Sequence, residues 1–430
     1  MTTSIAYGKT GLEISLPDAA DTTIVEPRHT PGAPDQRGIV RDALRAPIAT
    51  APLAECAKAT DRVGIIFSDI TRPTPYHILI PALLEELSHV PDERITFFNA
   101  TGTHRPNTEE ELATILGADI VNRFRIVQND CDDEAAHRVV GTTRDGNEVA
   151  LLSEFLDCDI KILTGFIEPH FFAGMSGGGK AIMPGLATLE TIQRNHRPAH
   201  MDHPEVRWGI TEGNPLWEQV REAALLAEPS LLLNVALNRD KEITAVFAGD
   251  FLAAHRAGCD YVRAHAMAPV EREFDIVITS NSGYPLDLNM YQAVKGMSAA
   301  SQVVRQDGHI IVAADCWDGV PDHGQYGKLL SSARTLEQLL ETIRSPGFVA
   351  QDMWQAQIHA LICRKATVHF YSRNLTTEQI RNGFMEPTDD IGATVQRLIG
   401  GGAARRICVL PQGPMTIPYI GGSGAAPATC

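Results

Sequence analysis

The stretch 164-TGFIEPHFFAGMSGGGKAIMPG-185 concentrates residue types suited to chemistry. His170 follows Glu168-Pro169, and Phe171 and Phe172 are placed to wall a dry pocket beside it. Gly174, Gly177, Gly178 and Gly179 then remove side chains, which lets backbone and ligand approach closely. Lys180 emerges where that run ends. A lysine after a glycine-rich loop suggests phosphate binding, but the P-loop pattern G-x-x-x-x-G-K followed by Ser or Thr fails here. Ala181 stands where a hydroxyl would hold magnesium. Lys180 is therefore either a plain anion contact or a covalent attachment point.

Four further constellations carry candidate groups. In 68-SDITRPTP-75, Asp69 is followed by Arg72, which Pro73 holds in extended backbone, so its guanidinium can grip a carboxylate or phosphate. In 101-TGTHRP-106, Gly102 permits a tight turn and His104 is placed to accept a proton. In 191-TIQRNHRPAHMDH-203, His196 and His200 have the spacing of two metal ligands on one helical face, but Pro198 breaks such a helix and no H-E-x-x-H is present. In 291-YQAVKGM-297, Gln292 and Lys295 share a helical face that could meet an anion held by the first domain. Trp354, in 351-QDMWQAQ-357, sits on an expected helix, where core packing is the ordinary role of tryptophan. Singly, each has a structural reading: an Asp-Arg turn, a histidine hydrogen bond, a helix start. Together, two histidines as bases and two cations for a carboxylate describe proton or hydride chemistry on a small acid.

The elements that must position these groups are short apolar runs near 63–69, 94–102, 159–166, 274–283, 308–315 and 406–413, read as strands. Helix-like stretches such as PYHILIPALLEELSHV, TEEELATILG, PLWEQVREAALLAE and TLEQLLETI lie between them. That alternation predicts an α/β fold with mostly parallel sheets, whose strand carboxyl ends carry ligand-binding loops. Asp69, His104 and His170 all follow such ends. A chain of 430 residues exceeds one ordinary core, so two α/β domains are expected, with the active site in the cleft between them. The polar segment 266-AMAPVEREFD-275 suggests the division: 1–270 carrying the lysine and histidines, and 271–430 completing the substrate site. The tail GGSGAAPATC reads as loose.

A formal charge of −16 argues against a nucleic-acid partner. No apolar run is long enough for a membrane span, and the N-terminus lacks a signal-peptide pattern, so a cytoplasmic location is expected. The eight cysteines are scattered without a C-x-x-C pair, against a disulfide framework or structural zinc.

In order and spacing, DITRPTP, TGTHRP, GFIEPHFFAGMSGGGKAIMPG, QRNHRP, YQAVK and DMWQAQ resemble the lactate racemase family, and the resemblance runs from YGKTGLEISLPD to VLPQGPMTIPY. It implies a racemase or epimerase of a 2-hydroxy acid working by reversible hydride transfer to a nickel-pincer nucleotide. That cofactor is a pyridinium-3-thioamide-5-thiocarboxylic acid mononucleotide. Lys180 matches the lysine that holds it through a thioamide, and His196 the protein's ligand to nickel, with sulfur, carbon and sulfur of the cofactor as the other donors. His104 and His170 match the acid–base histidines. Asp69, Arg72, Gln292 and Lys295 match polar residues around cofactor and substrate, and Arg72 and Lys295 are expected to anchor the carboxylate. Tyr291 and Trp354 match aromatics lining the site. The family often has a basic residue immediately before the lysine, where this chain has Gly179. Relatives act on different 2-hydroxy acids, so the resemblance leaves the particular acid open, along with homo-oligomer formation. Its implied partners are the substrate and the cofactor-building enzymes. Two other readings stay open: a cofactor-carrying relative without racemase activity, and a metal- or NAD-dependent 2-hydroxy acid oxidoreductase, although the dinucleotide fingerprint is missing.

Overall fold

The computed structural model describes residues 1–17, 21–321, 324–400 and 405–421, so all but the first residue of the GGSGAAPATC tail lies outside the described residues. The chain forms two compact units, Met1–Arg28 with His265–Cys430, and His29–Ala264. It therefore crosses between units twice, where the sequence suggested one division near 270. The cause is strand pairing. β1 (Thr2–Ile5) and β2 (Leu12–Ser15) form an antiparallel hairpin, and β3 (Asp21–Ile24) pairs in parallel with the strand Arg406–Leu410 near the other end of the chain. Strands of four residues cannot bury themselves, and Ile5, Tyr7, Ile14 and Leu16 join the core of Ile278, Ile311 and Val409.

In the unit His29–Ala264, the strands are β4 (Val63–Ser68), β5 (Ile95–Ala100), β6 (Arg125–Gln128), β7 (His137–Thr142), β8 (Glu148–Leu152), β9 (Ile160–Phe166), β10 (Pro169–His170), β11 (Gly174–Met175), β12 (Leu231–Leu237) and β13 (Ile243–Gly249). Six of them form a sheet in the order β13-β12-β9-β4-β5-β6. All its pairs are parallel except β12 with β13. β9 is buried at every position, which is why its sequence reads as an unbroken apolar run rather than an alternation. Helices α1 (Gln36–Arg45), α2 (Tyr76–Glu86) and α3 (Glu109–Leu116) are joined by α4 (Leu189–Asn195), α5 (Pro215–Leu226) and α6 (Phe251–Ala266), the last of which runs into the other unit. Thr108 and Glu111 form a capping box that fixes where α3 begins and so ends the loop carrying His104.

The second unit continues with β14 (Met267–Val270), β15 (Phe274–Ser280), β16 (Val304–Ala313), β17 (Ala366–Tyr371), β18 (Glu386–Pro387), β19 (Arg406–Leu410) and β20 (Ile417–Ile420). Its six-stranded sheet, β18-β17-β16-β15-β19-β3, is wholly parallel. The supposed junction 266–275 contains β14, which pairs with β20 in register Met267↔Ile417. The helices of seven or more residues are α7 (Met290–Ser301), α8 (Tyr326–Ser332), α9 (Leu336–Ile343), α10 (Met353–Lys365) and α11 (Ile391–Ile399), with α7 packed on α10. Both units are thus α/β with mostly parallel sheets. Among the described residues no helix is long and apolar enough to cross a membrane.

The shared core makes a local prediction. Ile14→Ala should cost about 2–5 kcal/mol, and amide exchange should quicken in β15 and β19 while β4 and β9 stay protected.

Candidate active site

Three strand ends of the first sheet build the site in the unit His29–Ala264. After β4, Asp69 is buried and accepts from the Thr71 hydroxyl at 2.6 Å and the Thr71 amide at 3.2 Å, and the Arg72 amide closes the turn on the Asp69 carbonyl at 3.1 Å. After β5, His104 donates from Nδ1 to the other Asp69 oxygen at 2.5 Å. A carboxylate only accepts, so this bond fixes the neutral His104 as the tautomer with its lone pair at Nε2. Burial pushes the Asp69 carboxyl up, but His104, Thr71 and Arg72 outweigh it and hold it below the usual carboxylate range. Asp69, expected beside the cofactor, is engaged with His104 and Thr71. The His104 loop is pinned from behind, where the Gly102 amide donates to the Gly185 carbonyl at 3.2 Å.

After β9, Phe172 gathers three of the candidate residues. Its ring centroid lies 4.4 Å from that of His170 and 5.2 Å from that of His196, and the Lys180 Nζ stands 5.6 Å from it. His170, in the tight β10–β11 hairpin, accepts at Nδ1 from the Ala173 amide at 3.2 Å, with the Phe172 amide at 3.5 Å. Its neutral form therefore carries the proton on Nε2, opposite to His104. His196 caps the end of α4 and is buried, and its Nδ1 donates to the Ile192 carbonyl at 2.9 Å. Burial first, and then the neighbouring Lys180 charge, push His196 down to about 3, so the ring is neutral and its lone pair is at Nε2. Lys180 is partly buried. Burial first, and then Arg72, push its ammonium down to about 7, against an upward pull from Glu168. Arg72 is thereby tied electrostatically to the same cluster.

The glycines before Lys180 do something the sequence did not indicate. A Cβ on Gly174 would overlap the Ile210 carbonyl, and one on Gly177, where φ is 72°, would come within 2.5 Å of Asn234 Oδ1. Their bareness lets the turn sink into the protein. Pro198 does end the helix as expected, starting the short turn Pro198–Met201. His200 instead joins a structural network: its Nδ1 donates to the Asn195 carbonyl at 2.7 Å, and Arg197 donates to its Nε2 at 3.0 Å.

The remaining candidates belong to the other unit. Tyr291, Gln292 and Lys295 lie on the first turns of α7, whose N-terminus Asn289 caps, and Trp354 lies at the start of α10. Burial first, and then the Asp352 charge, raise the Tyr291 pKa, and the neighbouring Trp354 indole opposes them. Asp352 holds left-handed backbone at φ 64°. Asp352 was missed in the sequence although it stands two residues before Trp354. Phe172 was noticed only as a pocket wall.

Among the described residues, no group of three or more His, Cys, Asp or Glu side chains could hold a metal. A metal at His196 would need donors from a bound group.

Residues 7–209 match the lactate racemase N-terminal domain and residues 270–417 the lactate racemase C-terminal domain. The chain is 38% identical over 377 residues to a lactate racemase of Lactiplantibacillus plantarum, covering 87% of this chain and 89% of the relative. It is 35% identical over 399 residues to one of Thermoanaerobacterium thermosaccharolyticum, covering 91% and 93%. The chain belongs to the lactate racemase family. A solved lactate racemase apoprotein from T. thermosaccharolyticum superimposes with TM-score 0.90 at 33% identity, over 97% of this chain and 100% of that one. A Thermotoga maritima structure with 18% identity and TM-score 0.66, over 90% and 98%, shares the fold alone.

For this member of the lactate racemase family, the Lys180 environment sets a pH dependence. Its folded pKa of about 7 lies below the ordinary 10.5, so between those values the unfolded chain binds the extra proton. Stability of unloaded protein, measured against Lys180→Met, should therefore rise with pH across that window in paired thermal melts. Both forms are protonated below it and neutral above it, so the difference should level off at either side.

Proposed function

We propose that this chain racemises or epimerises a small 2-hydroxy acid, lactate or a relative, by reversible hydride transfer at a nickel-pincer nucleotide joined to Lys180. The observation that carries the reading is the gathering of His170, His196 and Lys180 around one Phe172 ring. Their chemistry suits the cofactor. An amine depressed to about 7 is a nucleophile near neutral pH, as a thioamide anchor requires, and a neutral buried imidazole is a nickel ligand. When bound, the cofactor supplies a reversible hydride acceptor.

The chain's own residues handle the proton and the orientation. The C2 hydrogen of a hydroxycarboxylate is a poor acid, because the neighbouring carboxylate is already negative, so it leaves with its electrons. The hydroxyl proton must leave with it, and His104, with its Nε2 lone pair aligned by Asp69, is poised to accept that proton. The planar 2-keto acid can be rebuilt from either face, and the opposite hand presents its oxygen to a second group, His170. His170 is not equivalent to His104: to accept a proton at Nε2 it must carry one on Nδ1 and give up the Ala173 amide. Arg72 and Lys295 are assigned to the carboxylate and Gln292 to the substrate. Tyr291 and Trp354 are assigned to the cofactor, with Asp69 acting there through His104. The seven described cysteines are free thiols, which suits the cytoplasm, where cofactor-building enzymes would load the chain.

His104→Ala and His170→Ala should each lower racemisation by about 10²–10⁴ in both directions, measured by chiral chromatography on a panel of single enantiomers of 2-hydroxy acids. Undiminished rates in either variant would remove that histidine from the mechanism. Intact mass and metal analysis separate the two anchors. Lys180→Ala should carry no adduct, and His196→Ala should keep the adduct but lose nickel.

A further inference from the structure

Two buried side chains that carry no role in the chemistry above hold the backbone on which Lys180 hangs. Asn234, inside the apolar strand β12, accepts from the Gly178 amide at 2.8 Å and donates from its own amide to the Leu233 carbonyl at 3.0 Å. His255, on α6, donates from Nε2 to the Ser176 carbonyl at 3.0 Å. Its ring stacks on Trp217 with centroids 5.9 Å apart and planes 13° apart, and the Cys259 thiol lies 3.6 Å from its Nδ1. A Cβ on Gly178 would come within 2.5 Å of that ring, so the turn rests directly on it. The Lys180 amide in turn donates to the Gly177 carbonyl at 3.1 Å, between the two clamped residues. Burial pushes the His255 imidazole down and the Cys259 thiol up, so the buried setting favours the neutral form of both.

We infer that Asn234 and His255 are positioning residues that fix the turn 176–179 from below and thereby set where Lys180 meets its cofactor. The inference rests on the proposed role of Lys180 as anchor. A buried amide and carbonyl without partners are costly, so the turn without the clamp should seek water and carry Lys180 with it.

Hydrogen exchange and intact mass test this on protein made with and without the cofactor-building enzymes. His255→Phe keeps the stacking on Trp217 and removes the donor, His255→Gln restores an N–H, and Asn234→Ala removes the acceptor. For His255→Phe and Asn234→Ala, exchange over 174–183 should quicken about tenfold while β4 and β5 stay protected. The fraction of chains bearing the Lys180 adduct should fall with kcat while KM holds, and His255→Gln should recover both. Should Asn234→Ala fail to fold, the two His255 variants decide alone. Unchanged exchange over 174–183, exchange that quickens equally across the whole unit, or a loosened turn with undiminished adduct and kcat would each overturn the inference. Wild-type protein that never carries an adduct would count against the proposed cofactor instead, and the exchange measurement on unloaded protein would still decide the clamp.

Discussion

An amine placed where water is scarce, beside a guanidinium, is the constraint around which the candidate site is arranged. The ammonium form of Lys180 is disfavoured by burial and by Arg72, with Glu168 opposing. Such an arrangement needs backbone that cannot relax, because an unanchored loop would swing the side chain into solvent and recover the lost hydration. The turn before Lys180 meets that need by packing bare glycines against Asn234, His255 and the Ile210 carbonyl. The same dryness reaches His196, which stays neutral beside the lysine. A depressed amine and a neutral imidazole are therefore two outcomes of one desolvated corner.

The two histidines proposed to move the proton differ from one another. Each neutral tautomer is chosen by what meets Nδ1, a carboxylate for His104 and backbone amides for His170. The carboxylate can support a positive ring and the amides cannot, so the pair is chemically unequal although both side chains are imidazoles.

What the sequence made legible followed from local physics. Continuous apolar runs marked β4, β5, β9, β15 and β19, and the unusual residues after β4, β5 and β9 marked the loops at the carboxyl ends of that parallel sheet. Pro198 stopped a helix, as its ring dictates. The resemblance to the lactate racemase family, carried by ordered motifs, agrees with the family to which the chain belongs. Long-range features were not legible. Nothing near Asp21–Ile24 indicates a partner at Arg406–Val409, and the Pro269 inside β14 reads as a linker until Ile417–Ile420 is placed beside it. The packing role of the glycines was not legible for the same reason: the atoms that exclude a Cβ come from distant segments. Asn234 did leave a trace, a lone amide within LLLNVAL, and polar groups in such runs warrant a search for the backbone they satisfy.

The double crossing between units bears on how the polypeptide matures. All of His29–Ala264 is nested between two pieces of its companion, so the lysine-bearing unit has its whole chain available while the companion still lacks five of the six strands in its sheet. Strand β3, made early, has to wait for β19 across nearly the full length of the chain, and loop closure over that distance comes late. During translation the nested unit can condense first, leaving an exposed leader whose apolar side chains are vulnerable to wrong partners until the last parallel strand arrives.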